Sequence, residues 1–479
     1  MASSFFCSQP LPNPPQRHAS RTQTVSPLIS CCGWFGNSSF NQRFLANRSM
    51  DNSPQQKEIK VLSTWQLLTS RRDFAKLITA RFISMMGDYV HTVTTMWLVK
   101  EMTNSASAMA SLFIANTVPR IIFSLFGGVS VDRYDRKTIL VLSDGLRAVG
   151  VLGLVMLAMT NHLQVWHIAA FGAFNGAAAS FFSPAVSATV PNLVEQDELQ
   201  KANALNGMSV RIAGILGGAL GGIILNLSGT WGGYLADATS YATSALLILS
   251  MAIPKLSRIR TQPTPLGFSG VWQDLREGWT YVLSQRWLLA IVVISIITMF
   301  VSLPAAQLIP TLADELKLTD PTLLGFLWSG MTLGMFLGAF FLNIAHQIPN
   351  KTLSVLISAI LCAISSVMIG AAHKYVIVLS GFILMGFSLN LSTLLTTILF
   401  QTFVPKEMQG RFFGNINLLT LGTQPLVMGV AGLGADWFSA STIFVVLGSS
   451  LMALSLIWTL QYREYLKPSF SLHTMSTFE

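Results

Sequence analysis

The sequence predicts an all-α polytopic membrane protein with twelve transmembrane helices in two six-helix halves, and three observations carry that prediction. Asp, Glu, Lys and Arg make up only 11% of the 479 residues, under half the ~25% usual for a soluble globular protein. Hydrophobic residues reach 51%, and the mean hydropathy is +0.54. From Phe74 onward, apolar stretches follow one another, each near the ~20 residues that cross ~30 Å of hydrocarbon. In lipid their backbones are satisfied only within helices or in a closed barrel, whose strands are much shorter. A soluble enzyme, a disordered scaffold and a disulfide-rich secreted protein are excluded.

Residues 1–50 hold four arginines (Arg17, Arg21, Arg43, Arg48), nine serines and no acid; the first acid is Asp51. This is the composition of an organelle transit peptide, and no apolar core of a secretory signal accompanies it. With no basic amphipathic helix in view, the leader reads as a plastid address. A polar segment, 51–73, follows. Removing the leader leaves 26 Lys+Arg against 21 acids, so the net charge falls from +9 to about +5.

The spans are expected at 75–99, 107–130, 138–159, 165–189, 204–227 and 231–253, then 287–309, 321–343, 352–372, 375–403, 412–435 and 441–461. The first six belong to an N-terminal half (74–253) and the last six to a C-terminal half (287–462), with a tail at 463–479. Between the halves, 254–286 forms a central loop. Its later part, Gly270 to Ser284, places Trp272, Leu275, Trp279 and Val282 at helical spacing, as in an amphipathic helix at a membrane surface.

Loop charge sets the orientation. Loops on the side of the N-terminus carry twelve cations, among them Arg133, Arg136, Lys137, Lys201 and Lys351, whereas the opposite loops carry Lys100, Lys317 and Lys374. That bias puts both termini on the cytoplasm-equivalent side. For a plastid protein, most naturally one of the inner envelope, that side is the stroma. Because the cations sit in short loops and not in a basic run with aromatics, the net charge does not signal nucleic acid. The four cysteines make neither a disulfide framework nor a metal spacing, and no phosphate loop, dinucleotide fingerprint or hydrolase motif is present. The expected partners are a small-molecule substrate, protons and lipid, with no cofactor, no enzymatic activity and a monomeric chain.

A repeat is visible. Span four ends Thr189-Val190-Pro191 with Glu195 and Asn203 beyond it; span ten ends Phe403-Val404-Pro405 with Glu407 and Asn415 beyond it. Glycines at i, i+4 and i+8 mark close-packing faces in span five (Gly214, Gly218, Gly222) and span eight (Gly330, Gly334, Gly338), one span from each half.

After span two the chain reads Gly128-Val-Ser-Val-Asp132-Arg133-Tyr-Asp135-Arg136-Lys137. This closely resembles the G-x-x-x-D-R-x-x-R-[RK] signature between helices two and three of the major facilitator superfamily. Gly87-Asp88 in span one, the D-R-x-D-R form of the loop, and Ser143-Asp144-Gly-Leu-Arg147 in span three are similar to the drug-efflux branch that includes bacterial macrolide and siderophore exporters. The resemblance covers roughly 75–462. It implies alternating access between two halves, with the loop of Gly128, Asp132, Arg133, Arg136 and Lys137 latching one access state. Two features depart from the family's pattern. Glycine stands where the helix-five antiporter motif usually has proline (Gly217-Gly218-Ala-Leu-Gly221-Gly222), and the second-half counterpart, Asn343 to Lys351, lacks the Asp-Arg pair.

Ionisable groups at bilayer depth cost ~2.5–3.5 kcal/mol each on insertion scales, so each is a functional candidate. They are Asp88, Arg120, Asp144, Arg147, Arg211 and Asp237, all in the first half. Burial of Asp88 favours its neutral form and a nearby arginine its charged form, the balance a proton-coupled carrier requires. A permanent Asp88–arginine pair between helices is the structural alternative. Arg120 and Arg211 suit an anionic or carbonyl group, Asp237 is a further coupling candidate, and Asp144 with Arg147 forms an i, i+3 charge pair. The expected function is secondary transport, with proton-coupled efflux of an amphiphilic solute or metal chelate leading. A lipid flippase or a non-transporting sensor on the same fold are the alternatives.

Overall fold

The computed structural model describes residues 64–252, 268–345, 348 and 350–463. The expected transit peptide, most of the polar segment, the first part of the central loop and the C-terminal tail lie outside the described residues. All regular structure among the described residues is helical: α1 (Thr64–Ser70), α2 (Arg72–Thr103), α3 (Ala106–Arg133), α4 (Arg136–Met159), α5 (Val165–Thr189), α6 (Leu199–Leu249), α7 (Phe268–Ser284), α8 (Arg286–Gln307), α9 (Ile309–Glu315), α10 (Pro321–Ile344), α11 (Lys351–Ala371), α12 (Tyr375–Phe403), α13 (Lys406–Phe438) and α14 (Ala440–Gln461).

Nine of these helices are long and apolar enough to cross a membrane, and α6, with 51 residues, is long enough to cross twice. It breaks at Gly229, whose φ of 69° and ψ of −168° suit a residue without Cβ. Spans five and six are thus joined almost without a loop. α2 and α5, with 32 and 25 residues, have the length but dilute their apolar character, α2 with charge and α5 with small and polar residues. Twelve crossings require both as spans.

Local chemistry fixes the helix ends. Asp135 caps α4, accepting from the Thr138 amide at 3.1 Å and its hydroxyl at 2.9 Å, which gives the second Asp of D-R-x-D-R a structural task. Asn350 caps α11 and Asp320 caps α10 in the same way. Pro191 and Pro405 stand just past the ends of α5 and α12, equivalent places in the two halves.

In the first half α2 packs along α6 and α3 along α5; in the second α12 packs against α10 and α11, and α11 against α14. The halves meet through α6 against α10 and α3 against α13. Counted as spans, these pairings are five with eight and two with eleven, which exchange under an offset of six, the signature of a repeat.

The glycine stripes divide differently from their sequence pattern. Gly214, Gly218 and Gly222 of α6 face Thr332, Ser329 and Pro321 of α10, across the halves. Gly330, Gly334 and Gly338 instead face Leu379, Ile383 and Phe387 of α12, inside the second half. The stripe of α10 therefore serves its own bundle, and Gly325, with Pro321 and Thr322, brings α10 against α6 backbone to backbone.

α7 does not lie alone at a surface. Val282 is buried in the second-half core, Arg411 of α13 reaches Glu277 at 2.5 Å, and the Asn415 amide donates to the Leu275 carbonyl at 2.9 Å. Of the apolar positions of α7, Val282 and Trp279 pack into the second-half core.

Call the face where α2 begins the near face. There Arg71 binds Glu198 at 3.0 Å and also Glu195, while Glu198, 7% exposed, accepts from the Glu195 amide at 2.8 Å. Partial desolvation pushes the Glu198 carboxyl up, but the Glu195 amide and the Arg71 guanidinium outweigh it and hold it below the ordinary value. A carboxyl depressed by folding contributes stability above its unfolded value and loses it as pH falls through the folded one. Glu198→Gln is accordingly expected to flatten the acid limb of the melting profile below about pH 4.5. Parallel acid limbs in the two proteins would disprove this.

Candidate functional site

The first half encloses a cavity of about 530 Å³, bounded on one side by Gln307 and Trp328 of the second. On α2 the lining residues Arg81, Met85, Asp88, Thr92, Thr95 and Val99 recur every three or four positions, one helical face. From Arg81 to Val99 that face runs ~27 Å at 1.5 Å per residue. α3 adds Phe113, Asn116 and Arg120, α4 adds Arg147, and α5 adds Asn175 and Phe182. Cβ atoms at Gly176 and Gly127 would overlap the backbones of α3 and α5, so glycine is what lets these walls close.

Asp88 lines the cavity and accepts a hydrogen bond from the Tyr241 hydroxyl, which also lies 3.4 Å from Asn175. One turn on, His91 Nδ1 stands 3.0 Å from Asp237 Oδ2. The His91 ring is held by Phe171 and Tyr234, at centroid distances of 5.2 and 5.0 Å. Asp237 is fully buried and does not line the cavity; His91 stands between them.

Arg147, 2% exposed, lies 3.6 Å from Asp144 and against the rings of Phe182 and Tyr241 at 5.6 and 5.3 Å. Asp144 is completely buried and accepts from Ser244 at 2.5 Å. Of the charge pair expected in span three, Arg147 lines the cavity and Asp144 lies behind it, tied to α6.

The remaining expected residues separate. Arg120 lines the cavity, is exposed, and has no ion-pair or hydrogen-bond partner among the described residues. Arg211 does not line it; its guanidinium donates to Asn390 at 3.1 Å and to the Met335 sulfur at 3.0 Å, tying α6 to α10 and α12 of the other half. In the loop signature, Arg136 donates to the Ala188 carbonyl at 2.6 Å and Lys137 to the Met251 carbonyl at 2.8 Å, both within the first half, while Arg133 is exposed. Of Gly128 and Asp132 only the helical backbone is described. Sequence reasoning missed Arg81, Asn116, Asn175 and Tyr241. Stepping by three and four along α2 from Asp88 reaches Arg81, so that residue was within reach; the other three show no sequence signal.

At the far face, where α2 ends, the halves are latched. Lys100 pairs with Asp314 at 2.9 Å, and Asp436 of α13 accepts from the Ala106 amide at 2.6 Å, the Ser107 amide at 3.1 Å and the Ser105 hydroxyl at 2.9 Å. A carboxylate on the first amides of α3 suits the helix dipole. Hydrogen bonds to a charged acceptor contribute ~1.5–3 kcal/mol each, so Asp436→Asn should shift the access equilibrium about tenfold toward far-face opening. Met109→Cys, buried in the cavity wall, reports it. Labelling by an impermeant maleimide from the far face should quicken accordingly, and an unchanged rate would refute the latch.

A family model for a transmembrane secretion effector matches residues 62–475. The chain is 24% identical over 401 residues to the uncharacterized MFS-type transporter YfiS of Bacillus subtilis, covering 82% of this chain and 93% of that protein. It is 26% identical over 350 residues to the enterobactin exporter EntS of Escherichia coli O1:K1, covering 73% and 82%. Among solved structures, a POT family transporter in complex with 5-aminolevulinic acid superposes with a TM-score of 0.63 at 13% identity, covering 83% of this chain and 97% of that one. A bacterial homologue of the iron transporter ferroportin in an inward-facing state gives 0.61 at 13%, covering 81% and 98%. With α6 against α10 and α3 against α13 beside a charged cavity, the chain belongs to the transmembrane secretion effector family of the major facilitator superfamily and is a membrane transporter of that type.

Proposed function

We propose that the protein is a secondary active transporter that moves a small amphiphilic solute or metal chelate by alternating access, with Asp88 as its proton-coupling group. The observation that carries this is the placement of Asp88: it is the one carboxylate lining the cavity among the described residues, and Tyr241 on α6 donates to it. Its surroundings change whenever α2 and α6 move relative to each other, which ties proton binding to the access state. The enterobactin exporter among its relatives supports the export direction.

α2 and α5 complete the twelve spans, and the halves are bounded at 74–253 and 287–462 with the central loop between them. The acid-free leader supports a plastid membrane, the inner envelope above others, and the twelve-to-three loop bias supports stromal termini for a monomeric carrier. The test is a proteoliposome assay with a pH-sensitive dye inside and a panel of organic acids, metal chelates and lysolipids outside. Solute-dependent proton movement that requires Asp88 supports the reading. Movement of lysolipid alone, with no proton flux, would replace it with a flippase.

A further inference from the structure

The charges of the cavity do not balance. Its charged lining consists of Arg81, Arg120 and Arg147 against Asp88, with His91 turned to Asp237. Asp144 and Asp237 lie behind the wall and are not part of the lining. The arginines are also short of acceptors. Arg147 has Nε and Nη1 buried without a hydrogen-bond acceptor among the described residues, and the nearest oxygen of Asp144 is 3.6 Å away. Among the described residues, Arg81 donates from Nη1 to Asn206 at 2.8 Å but leaves Nε buried without an acceptor, and Arg120 has no partner.

A guanidinium offers five donors and no acceptor, and a buried N–H left without an acceptor is costly. The missing component is an acceptor-rich anion, for which a guanidinium fork is the natural receptor. Beside neutral polar groups such as Asn116, Asn175 and Gln307, the lining holds Phe113, Leu112, Ile168 and Trp328, which offer surface to a carbon skeleton, and about 530 Å³ falls within the range of pockets that take a drug-sized ligand.

We propose that the cargo of this cavity is an organic anion, its acidic group held by the guanidinium groups of Arg120, Arg147 and Arg81 and its apolar body set against Phe113, Ile168 and Trp328. This rests on the transporter reading and deepens it by naming the charge of the substrate.

The sign of its coupling to protons follows. Around Asp88 stand Tyr241 and Asp237 of α6, Asp144 and Arg147 of α4, Arg120 of α3, and Arg81 and His91 of α2 itself. Asp88 is the carboxylate that faces the bound anion, and a proton there removes the repulsion between them. Anion and proton therefore assist each other's binding, and by linkage the anion takes a proton up as it binds. Such a carrier moves the two together in one direction.

The experiment uses the purified full chain and three probes with one skeleton: 1-naphthoate, 1-naphthalenemethanol and 1-naphthylmethylamine. Calorimetry at neutral pH is expected to give naphthoate at least ~10-fold tighter binding than the alcohol, with the amine weakest, and proton uptake that scales with the buffer's ionisation enthalpy. Arg120→Gln should erase most of the preference and Arg120→Lys should keep part of it. Asp88→Asn should tighten naphthoate and abolish the proton uptake. Arg81→Gln provides a second variant if Arg120→Gln is not monodisperse. Equal or tighter binding of the alcohol or amine, a preference indifferent to both arginine variants, or naphthoate binding weaker than about 1 mM overturns the proposal. Binding needs no transport, so a carboxylate preference without flux in proteoliposomes would sink only the transporter reading. Flux of neutral or cationic solutes without that preference would sink only this one.

Discussion

Asp88→Asn is expected to abolish uphill transport while leaving the fold and the downhill exchange of solute intact. The substitution is nearly isosteric, and the amide oxygen still accepts the Tyr241 hydroxyl, so the contact between α2 and α6 survives. What disappears is the ability to take and release a proton. One pH unit is worth ~1.4 kcal/mol, which a one-proton carrier converts into tenfold accumulation. Across about two pH units the wild type should therefore accumulate solute ~100-fold and the variant about onefold. Counterflow of labelled solute, which needs no proton, should persist in both. Retained accumulation in Asp88→Asn would move the coupling to His91 and Asp237, the other buried acid–base pair that reaches the wall. Loss of counterflow together with accumulation would instead show that Asp88 holds the substrate.

The second large effect is expected at Gly334. A Cβ there would lie 1.9 Å from the Ile383 carbonyl oxygen of α12, and one at Gly386 would lie 1.9 Å from the Met331 carbonyl oxygen of α10. These contacts are reciprocal and made by backbone, so no side chain can swing aside; the two helices must separate. Overpacking typically costs ~1–3 kcal/mol, and a displacement shared along two whole helices lies at or beyond the upper end. Gly334→Ala should lower the melting temperature markedly, and Gly334→Leu should yield little monodisperse protein. Gly153 of α4, with nothing within 4 Å of its would-be Cβ, is the control. There alanine should be neutral or slightly stabilising, by up to ~1 kcal/mol from helix propensity. Matching melting temperatures for the two alanine variants would refute the packing argument.

The contrast between these two glycines marks the limit of what sequence pattern conveys. Gly330, Gly334 and Gly338 share one face of α10 at a spacing visible to any reader, but the identity of the helix they face is not encoded in the spacing. The structure gives that face to α12 and leaves Gly325 to meet α6. Asp88 was legible as a candidate because a charge in an apolar stretch stands out against its neighbours. Tyr241, its partner, was not: one tyrosine in span six looks like any other, and it reaches Asp88 across 153 positions of chain. Likewise Asp144 and Arg147 suggest a self-contained pair on one turn, whereas Ser244 takes the acid and the cavity takes the arginine.

The sequence by itself determined that the protein is helical, membrane-spanning, built as a repeat and belongs to the major facilitator superfamily. Each of those properties is local: the length of an apolar run, the charge of a short loop, the residues of one loop signature. Tertiary structure alone decided which charges face the cavity, which are paired behind its wall, and which latch the halves at the far face. A side chain's neighbours across helices depend on how each helix is rotated about its axis, and that rotation is settled by the packing of every helix against the others.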